Sequence, residues 1–115
     1  MYLTGMIGDE EGMPKSGVMM SPNYPQRYPN SHVSTQTIEV AEGKTISFAF
    51  TDFNTEPEVD FVQVVDDDGT DLTTKLWGRA PGGVSFNSVS NIMHVKFHTD
   101  VDIQRNGWRL EWNEQ

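Results

Sequence analysis

Apolar and polar residues alternate one by one through much of the chain after Thr35. Phe48 and Phe50, for example, are separated by the small residue Ala49. Strict alternation is typical of antiparallel strands that bury one face, and no segment combines a helical period with capping residues. About eight short strands at this spacing predict an all-β fold, a two-sheet antiparallel β-sandwich of the jelly-roll type. The residues expected in its core are Phe48, Phe50, Val95, Phe97, Trp108 and Leu110.

Residues 21–29 form a second distinctive stretch, with three prolines in nine positions. Proline lacks a backbone N–H and fixes its own φ, so this stretch is neither a helix nor a central strand. Tyr24 and Tyr28 lie within it, and aromatic side chains of this size favour burial. We therefore expect this segment, called the proline strap below, to be packed onto the core by its tyrosines.

The length and charge of the chain limit the classes of function. The 115 residues suit one domain, and we expect residues 1–16 to form a loosely ordered arm and residues 17–115 a single sandwich. The net charge is −9, which argues against nucleic acid and anionic membranes as partners. Cysteine is absent, which excludes disulfides and thiolate metal sites. No apolar run approaches 18 residues, so we expect no insertion into a membrane.

Acidic residues are concentrated in residues 51–60, which contain two aspartates and two glutamates but no basic residue. The segment ends one predicted strand and begins the next. Asp100 and Asp102 lie at the end of another predicted strand. If the fold brings these two ends together, the carboxylates form an oxygen-rich site suited to Ca²⁺. The alternative is that they are solvated loop acids, which the spacing by itself favours.

Enzymatic sites find little support in the sequence. There is no Gly-X-Ser-X-Gly motif and no glycine-rich phosphate loop. His94 and His98 share a predicted strand face with Lys96, which favours a solvated polar face over a zinc pair. Residues 66–69, Asp-Asp-Asp-Gly, predict a turn rather than a helix-flanked calcium loop. Paired acids for glycoside hydrolysis are possible by residue type, but acids on the loops of a small sandwich disfavour that function.

Several segments of the chain resemble the CUB domain, an extracellular sandwich module. Residues 21–25 read Ser-Pro-Asn-Tyr-Pro, and residues 28–29 read Tyr-Pro. Residues 50–53 read Phe-Thr-Asp-Phe, residues 95–100 read Val-Lys-Phe-His-Thr-Asp, and residues 107–108 read Gly-Trp. The resemblance extends from Gly17 to near the C-terminus. It implies a secreted or extracellular setting within a larger protein and a module without catalytic activity of its own.

The chain also departs from the CUB pattern in three places. The family usually has one or two disulfides, whereas here Trp77 and Ser34 stand near positions where cysteines are common. A buried Trp77 is expected to replace disulfide stability with apolar area. The loop of residues 56–60 is shorter than usual. The sequence nevertheless contains a carboxylate at every position where the resemblance implies a calcium ligand.

The resemblance implies a specific set of site residues. The expected Ca²⁺ ligands are Glu56, Asp60, Asp100 and Asp102. Tyr28 would orient Glu56 or contact a partner. Together with Glu56, Glu58 and Asp100, it forms the expected surface for a partner protein that presents lysine or arginine. With the resemblance included, the sequence favours calcium binding over solvated acids.

Two other functions are compatible with the sequence. Jelly-roll sandwiches also bind glycans through exposed aromatic side chains, and the candidates here are Trp77, Phe53 and Tyr24. A sugar platform of this kind requires at least one flat aromatic ring on the surface. The remaining alternative is a structural spacer that binds no metal. The sequence does not determine the oligomeric state.

Overall fold

The computed structural model describes residues 14–79, 84–101 and 103–115. The described residues form strands and connecting loops and contain no helix. They therefore include no helix that could cross a membrane. The strands number seven and are all short. They are β1 (Ser16–Met20), β2 (Val33–Glu39), β3 (Ile46–Asn54), β4 (Phe61–Asp66), β5 (Ser85–Asn87), β6 (Ile92–His98) and β7 (Gly107–Glu114).

The strands assemble into two antiparallel sheets. The larger sheet has the order β1-β7-β3-β5, and the smaller has the order β2-β6-β4. Neighbours in both sheets are distant in sequence, as in a jelly roll, so the loops at one end bring together segments from across the chain. The predicted all-β sandwich is therefore confirmed.

The core lies between the two sheets and is built largely from aromatic rings. All six predicted core residues are buried, with at most 2% of each exposed. Trp108 stands at the centre: its ring meets Phe50 edge-on at 6.0 Å and Phe97 at 5.8 Å. Each such side chain contributes about 1.5–3 kcal/mol by leaving water. This apolar area stabilises a sandwich that contains no disulfide.

A bulge in β3 changes the direction of the residues that follow it. The pairing with β7 shifts between Phe50 and Asp52, so Phe53 faces the core instead of the solvent. Phe53 is 5% exposed, and its ring meets Phe50 edge-on at 5.1 Å. The expectation that Phe53 could form a sugar platform is therefore wrong. The extra residue of the bulge shifts the alternation, so Phe53 lies on the same side of the sheet as Phe50.

The proline strap packs onto the core as predicted. At its start, the backbone N–H of Ser21 donates to the Trp108 carbonyl at 2.9 Å, and the Ser21 hydroxyl accepts from the Trp108 N–H at 3.0 Å. At its other end Tyr28 is 1% exposed and meets Phe97 edge-on at 5.1 Å. Tyr24 is only half-buried. The strap thus carries the Tyr28 hydroxyl to the end of the sandwich where the acidic loop lies.

Trp77 differs from its predicted role. The segment expected to form a strand over residues 75–77 makes a single β-bridge, between Leu76 and Val62. Leu76 packs against the core, which turns the next residue, Trp77, outward with 45% of its surface exposed. Trp77 therefore does not replace a disulfide by burial. The alternation within this short segment places only one of its two large apolar residues inside.

The N-terminal edge of the sandwich is β1, which pairs with β7 through Gly17 and Trp112. Residues 1–13 lie outside the described residues, so the expected division into an arm and a domain stays a prediction.

The predicted turn at residues 66–69 is confirmed, since the Gly69 N–H donates to the Asp66 carbonyl at 2.9 Å.

Candidate metal centre

Three carboxylate side chains meet at one end of the sandwich. They belong to Glu56 and Asp60, in the loop between β3 and β4, and to Asp100, just after β6. One oxygen atom from each lies within 4.8 Å of the others. Like charges at this separation repel, so the arrangement favours a cation between them. The predicted meeting of the two acidic strand ends is therefore present.

The short loop of residues 56–60 brings its two acids to the same side. The N–H groups of Val59 and Asp60 both donate to the Glu56 carbonyl, at 3.4 and 3.2 Å. Glu58 adopts a positive φ of 67°, which reverses the chain within very few residues. The shortness of the loop is thus compatible with convergence, because the loop closes as one tight turn.

Asp60 is the buried member of the group, with 0% of its surface exposed. Its Oδ2 accepts the Tyr28 hydroxyl at 2.6 Å, and its Oδ1 accepts the Asp100 N–H at 2.9 Å. A buried carboxylate requires such donors because it has lost its hydration. Each oxygen retains a further lone-pair direction, so both hydrogen bonds are compatible with a bound cation.

Tyr28 links the proline strap to the acidic loop. Its hydroxyl donates to Asp60 and accepts the Glu56 N–H at 3.1 Å. Burial, reinforced by the hydrogen bond to the Asp60 carboxylate, raises the pKa of Tyr28 well above its usual value, so the hydroxyl remains a donor. These contacts support orientation of the acidic loop, the first of its two expected roles. A side chain that is 1% exposed offers very little surface to a partner.

Asp100 is positioned by the segments that flank it. Its carbonyl accepts the Ser31 N–H at 2.6 Å. The preceding residue, Thr99, is buried, and its hydroxyl donates to the Pro29 carbonyl at 3.0 Å and accepts the His32 N–H at 2.7 Å. The end of β6 is therefore fixed to the end of the proline strap, which also carries Tyr28.

Thr55 supports the site but was not identified from the sequence. It is 1% exposed, and its hydroxyl donates to the Asp60 carbonyl at 2.9 Å and accepts the Gly78 N–H at 3.0 Å. A second bond joins the Thr55 N–H to the Gly78 carbonyl at 3.0 Å. A threonine after a strand carries no signal of such a role. The supporting role of Thr55 becomes visible only in the folded structure, where residue 78 lies beside the acidic loop.

The other acidic residues of the two predicted strand ends occupy different positions. Glu58 is exposed in the turn of the loop and does not belong to the group of three carboxylates. Asp52 accepts the Tyr24 hydroxyl at 2.5 Å on the outer surface. Asp102 lies outside the described residues. The predicted partner contacts of Glu58 and the predicted ligand role of Asp102 therefore stay predictions.

The two histidines of β6 contact separate groups. His94 lies between Asp67 and Thr37, with each of its ring nitrogens 2.9 Å from an oxygen. His98 stacks on Phe61 with ring centroids 5.2 Å apart. Within the described ranges neither residue joins a group of three metal-ligating side chains. The two rings therefore contact different neighbours, and the preference for a polar strand face over a zinc pair stays a prediction.

The chemistry of the three convergent side chains selects the type of ion they fit. All of their donor atoms are carboxylate oxygens, without nitrogen or sulfur. Hard cations such as Ca²⁺ take oxygen ligands of this kind and tolerate irregular geometry. The residues present therefore fit calcium.

Comparison with known proteins identifies a family and several relatives of this chain. The family model described as CUB domain matches residues 9–112. The chain is 31% identical over 100 residues to adhesion G-protein coupled receptor G6 of Danio rerio, an alignment that covers 85% of this chain and 8% of the receptor. It is 31% identical over 105 residues to cubilin of Homo sapiens, covering 87% of this chain and 3% of cubilin. The chain thus spans a small part of each relative.

One solved structure with the same fold contains bound calcium. The MASP-1 CUB2 domain bound to Ca²⁺ superposes with a TM-score of 0.74 at 25% identity, covering 88% of this chain and 94% of that domain. In the relatives, such domains are non-catalytic interaction modules of extracellular proteins. The match over residues 9–112 and the shared sandwich lead to one assignment. The chain belongs to the CUB domain family.

Proposed function

We propose that this domain is a calcium-dependent protein-recognition module of a larger extracellular protein. The observation that carries the proposal is the convergence of Glu56, Asp60 and Asp100, with Asp60 fully buried and hydrogen-bonded through both oxygens. Solvated loop acids would point apart and would need no such support. The calcium bound by the similar MASP-1 CUB2 domain adds to this argument.

In this proposal the three converging carboxylates are the protein ligands of Ca²⁺. Asp102 is a candidate for a fourth ligand, and water molecules complete the roughly six to eight oxygens that Ca²⁺ prefers. The ion would hold the two loops together and remove the repulsion between the acids. Carboxylate oxygens directed outward can then accept a lysine or arginine from a partner in charge-assisted hydrogen bonds.

Exposed apolar residues beside the acids favour a protein partner over a spacer function. Val59 precedes Asp60, and Val101 follows Asp100, with exposures of 38% and 77%. Exposed apolar side chains lose water when a partner covers them, so these two valines would add to binding at the charged centre.

Calorimetric titration of chelator-stripped protein with Ca²⁺ tests the metal site. We expect one site per chain, a loss of affinity of at least about tenfold in Asp100→Asn, which corresponds to about 1.4 kcal/mol, and little change in Glu58→Gln. Mg²⁺ should bind more weakly because it requires a tighter octahedron. Equal Ca²⁺ affinities for the wild type and Asp100→Asn would contradict the assignment of these ligands.

The domain boundaries belong to the same proposal. In this proposal residues 1–16 are an arm that precedes the folded unit of residues 17–115, and the last residue of the arm, Ser16, is already paired with Asn113 in β1. Limited proteolysis should remove the arm first and leave a fragment that retains its melting temperature. Early cleavage within residues 33–66 would instead place a flexible segment inside the unit. Because the chain spans only 8% and 3% of two relatives, further domains are expected in the parent protein.

Trp77 supports carbohydrate binding as a second candidate function. Its indole is 45% exposed, which meets the requirement for an aromatic ring on the surface. Titration with neutral oligosaccharides should then change the tryptophan fluorescence of the wild type but not of Trp77→Ala. An unchanged spectrum across the titration would leave protein recognition as the better account.

A further inference from the structure

A cleft of about 310 Å³ lies beside the acidic loop. Two of its lining residues, Thr55 and Pro57, flank Glu56 in sequence, so the cleft and the candidate metal centre share a wall. The opposite side is formed by the segment that follows Trp77. The lining residues are Asn54, Thr55, Pro57, Gly78, Arg79 and Arg105.

Two arginines line this one cleft in a strongly acidic chain. The whole sequence has only 8 basic residues against 17 acidic ones. Across the described ranges, the close contacts between a basic and an acidic side chain are His94 with Asp67 and Arg109 with Glu111, and neither involves Arg79 or Arg105. The side chains of both cleft arginines are exposed. Among the described residues, therefore, no carboxylate neutralises either arginine of the cleft.

The backbone around both arginines is attached to the residues that organise the acidic loop. The Arg105 carbonyl accepts the Tyr28 N–H at 3.2 Å. Gly78, next to Arg79, makes two hydrogen bonds with Thr55: its carbonyl accepts the Thr55 N–H, and its N–H donates to the Thr55 hydroxyl. Tyr28 and Thr55 also hold Asp60. The positive cleft and the negative centre are therefore positioned by the same residues and keep a fixed relation to one another.

We propose that this cleft receives a carboxylate from the partner protein, beside the lysine or arginine that the calcium centre binds. The inference rests on the proposed function and deepens it, since it assigns the partner an acidic residue next to a basic one. A guanidinium presents its N–H groups as a planar fork that matches a carboxylate, so a pair of arginines suits a single acidic side chain.

The overall charge of the chain favours an acidic side chain over an acidic polysaccharide. A net charge of −9 repels a polyanion along its whole length, while two arginines offset that repulsion at one place only. A protein segment with adjacent acidic and basic residues has little net charge. It meets complementary charges at both the cleft and the acidic centre.

Acetate, the simplest carboxylate, provides the first test. We expect the Nε–Hε resonances of Arg79 and Arg105 in nitrogen-15-labelled protein to shift with saturation as acetate is added. Arg27, an exposed arginine of the proline strap, is the matched control and should drift without saturation. Arg105→Gln should abolish saturation at Arg79. Equal, unsaturated drift of all three resonances would overturn the proposal.

Short blocked peptides provide the second test, carried out in Ca²⁺. Each contains one lysine and one glutamate separated by a varied number of glycines, and each has a matched peptide with glutamine in place of glutamate. At the best spacing we expect the glutamate to increase affinity by about threefold or more, equivalent to about 0.7 kcal/mol. Arg79→Gln and Arg105→Gln should remove that gain, whereas Asp100→Asn should remove the dependence on lysine.

The outcomes separate this inference from the proposed function. Lysine-dependent binding with no glutamate gain at any spacing overturns the carboxylate site and leaves calcium-dependent recognition in place. Saturation by acetate with no lysine dependence overturns the proposed function and supports the carboxylate preference of the cleft. A heparin tetrasaccharide that saturates both arginine resonances, while the glutamate gives no gain, assigns the cleft to sulfated glycans and overturns the proposal.

Discussion

At the scale of single residues, the contact between Tyr28 and Asp60 connects the core to the candidate site. A carboxylate with no exposed surface is unfavourable unless donors replace its lost water. Tyr28 supplies one donor, and the Asp100 backbone supplies the other. Because Tyr28 also packs against Phe97, the position of the carboxylate is set by the packing of the aromatic core.

Replacing Tyr28 by phenylalanine tests this connection. The ring of Tyr28→Phe should still pack, but Asp60 loses a donor and the Glu56 N–H loses its acceptor. We expect a loss of about 1–3 kcal/mol in the free energy of unfolding, measured by denaturant titration in chelator. Tyr24→Phe, which removes a hydroxyl bonded to the exposed Asp52, is the matched control and should change stability by less than about 0.5 kcal/mol. Equal losses in the two variants would contradict the special role of Tyr28.

The raised pKa of Tyr28 predicts a difference at alkaline pH. The folded hydroxyl stays protonated above the ordinary tyrosine pKa of 10.0, because it is buried and bonded to Asp60. The unfolded chain ionises first, so the stabilising contribution is complete below about pH 10 and is lost as pH rises further. Between about pH 10 and 12, the wild type should lose up to about 1.4 kcal/mol per pH unit relative to Tyr28→Phe. Parallel stability curves for the two proteins would contradict this.

At the scale of strands and loops, the sequence predicts what depends on regular alternation. The inward faces of β3, β6 and β7 were identified because each continues without interruption through its core residues. Phe53, expected at the surface, lies in the core because it follows a bulge in β3. Trp77, expected in the core as a replacement for a disulfide, lies at the surface because Leu76 makes the bridge to Val62 and packs inward. In both cases the sequence does not show which residue makes the local pairing.

Gly107, the first residue of β7, tests the packing of the proline strap. Its φ is +91°, and a Cβ added there would lie 1.9 Å from the Ser21 Oγ. Gly107→Ala therefore combines backbone strain with a collision against a buried residue. Gly43→Ala is the matched control, since its φ is +88° but a Cβ would meet nothing within 4 Å. We expect Gly43→Ala to cost about 1–2 kcal/mol in unfolding experiments and Gly107→Ala clearly more. Similar losses in the free energy of unfolding for the two variants would show that the proline strap can move away from an added Cβ at little cost.

At the scale of the whole molecule, the candidate site depends on which strands become neighbours. The resemblance to a known family identified Glu56, Asp60 and Asp100, and the structure brings them together. Composition and spacing alone favoured solvated acids, because 40 residues separate Asp60 from Asp100. The pairing of β4 with β6 closes that distance. Thr55 and the arginine cleft have no counterpart in the sequence pattern, since both depend on the position of the segment after Trp77.

The final prediction concerns the stability of the whole domain. A ligand that binds only the folded state stabilises it, by about 2.7 kcal/mol at a concentration 100 times the dissociation constant. Saturating Ca²⁺ should therefore raise the melting temperature relative to chelator by several degrees.

Asp100→Asn should show a clearly smaller rise in melting temperature with calcium than the wild type, whereas Glu58→Gln, which changes an exposed acid outside the group of three, should keep the full difference. In chelator, added NaCl should stabilise the wild type by screening the repulsion between the three carboxylates, and Ca²⁺ should reduce that salt effect. Identical wild-type melts in calcium and in chelator would leave a metal-free sandwich whose acids are held by Tyr28 and by backbone donors alone.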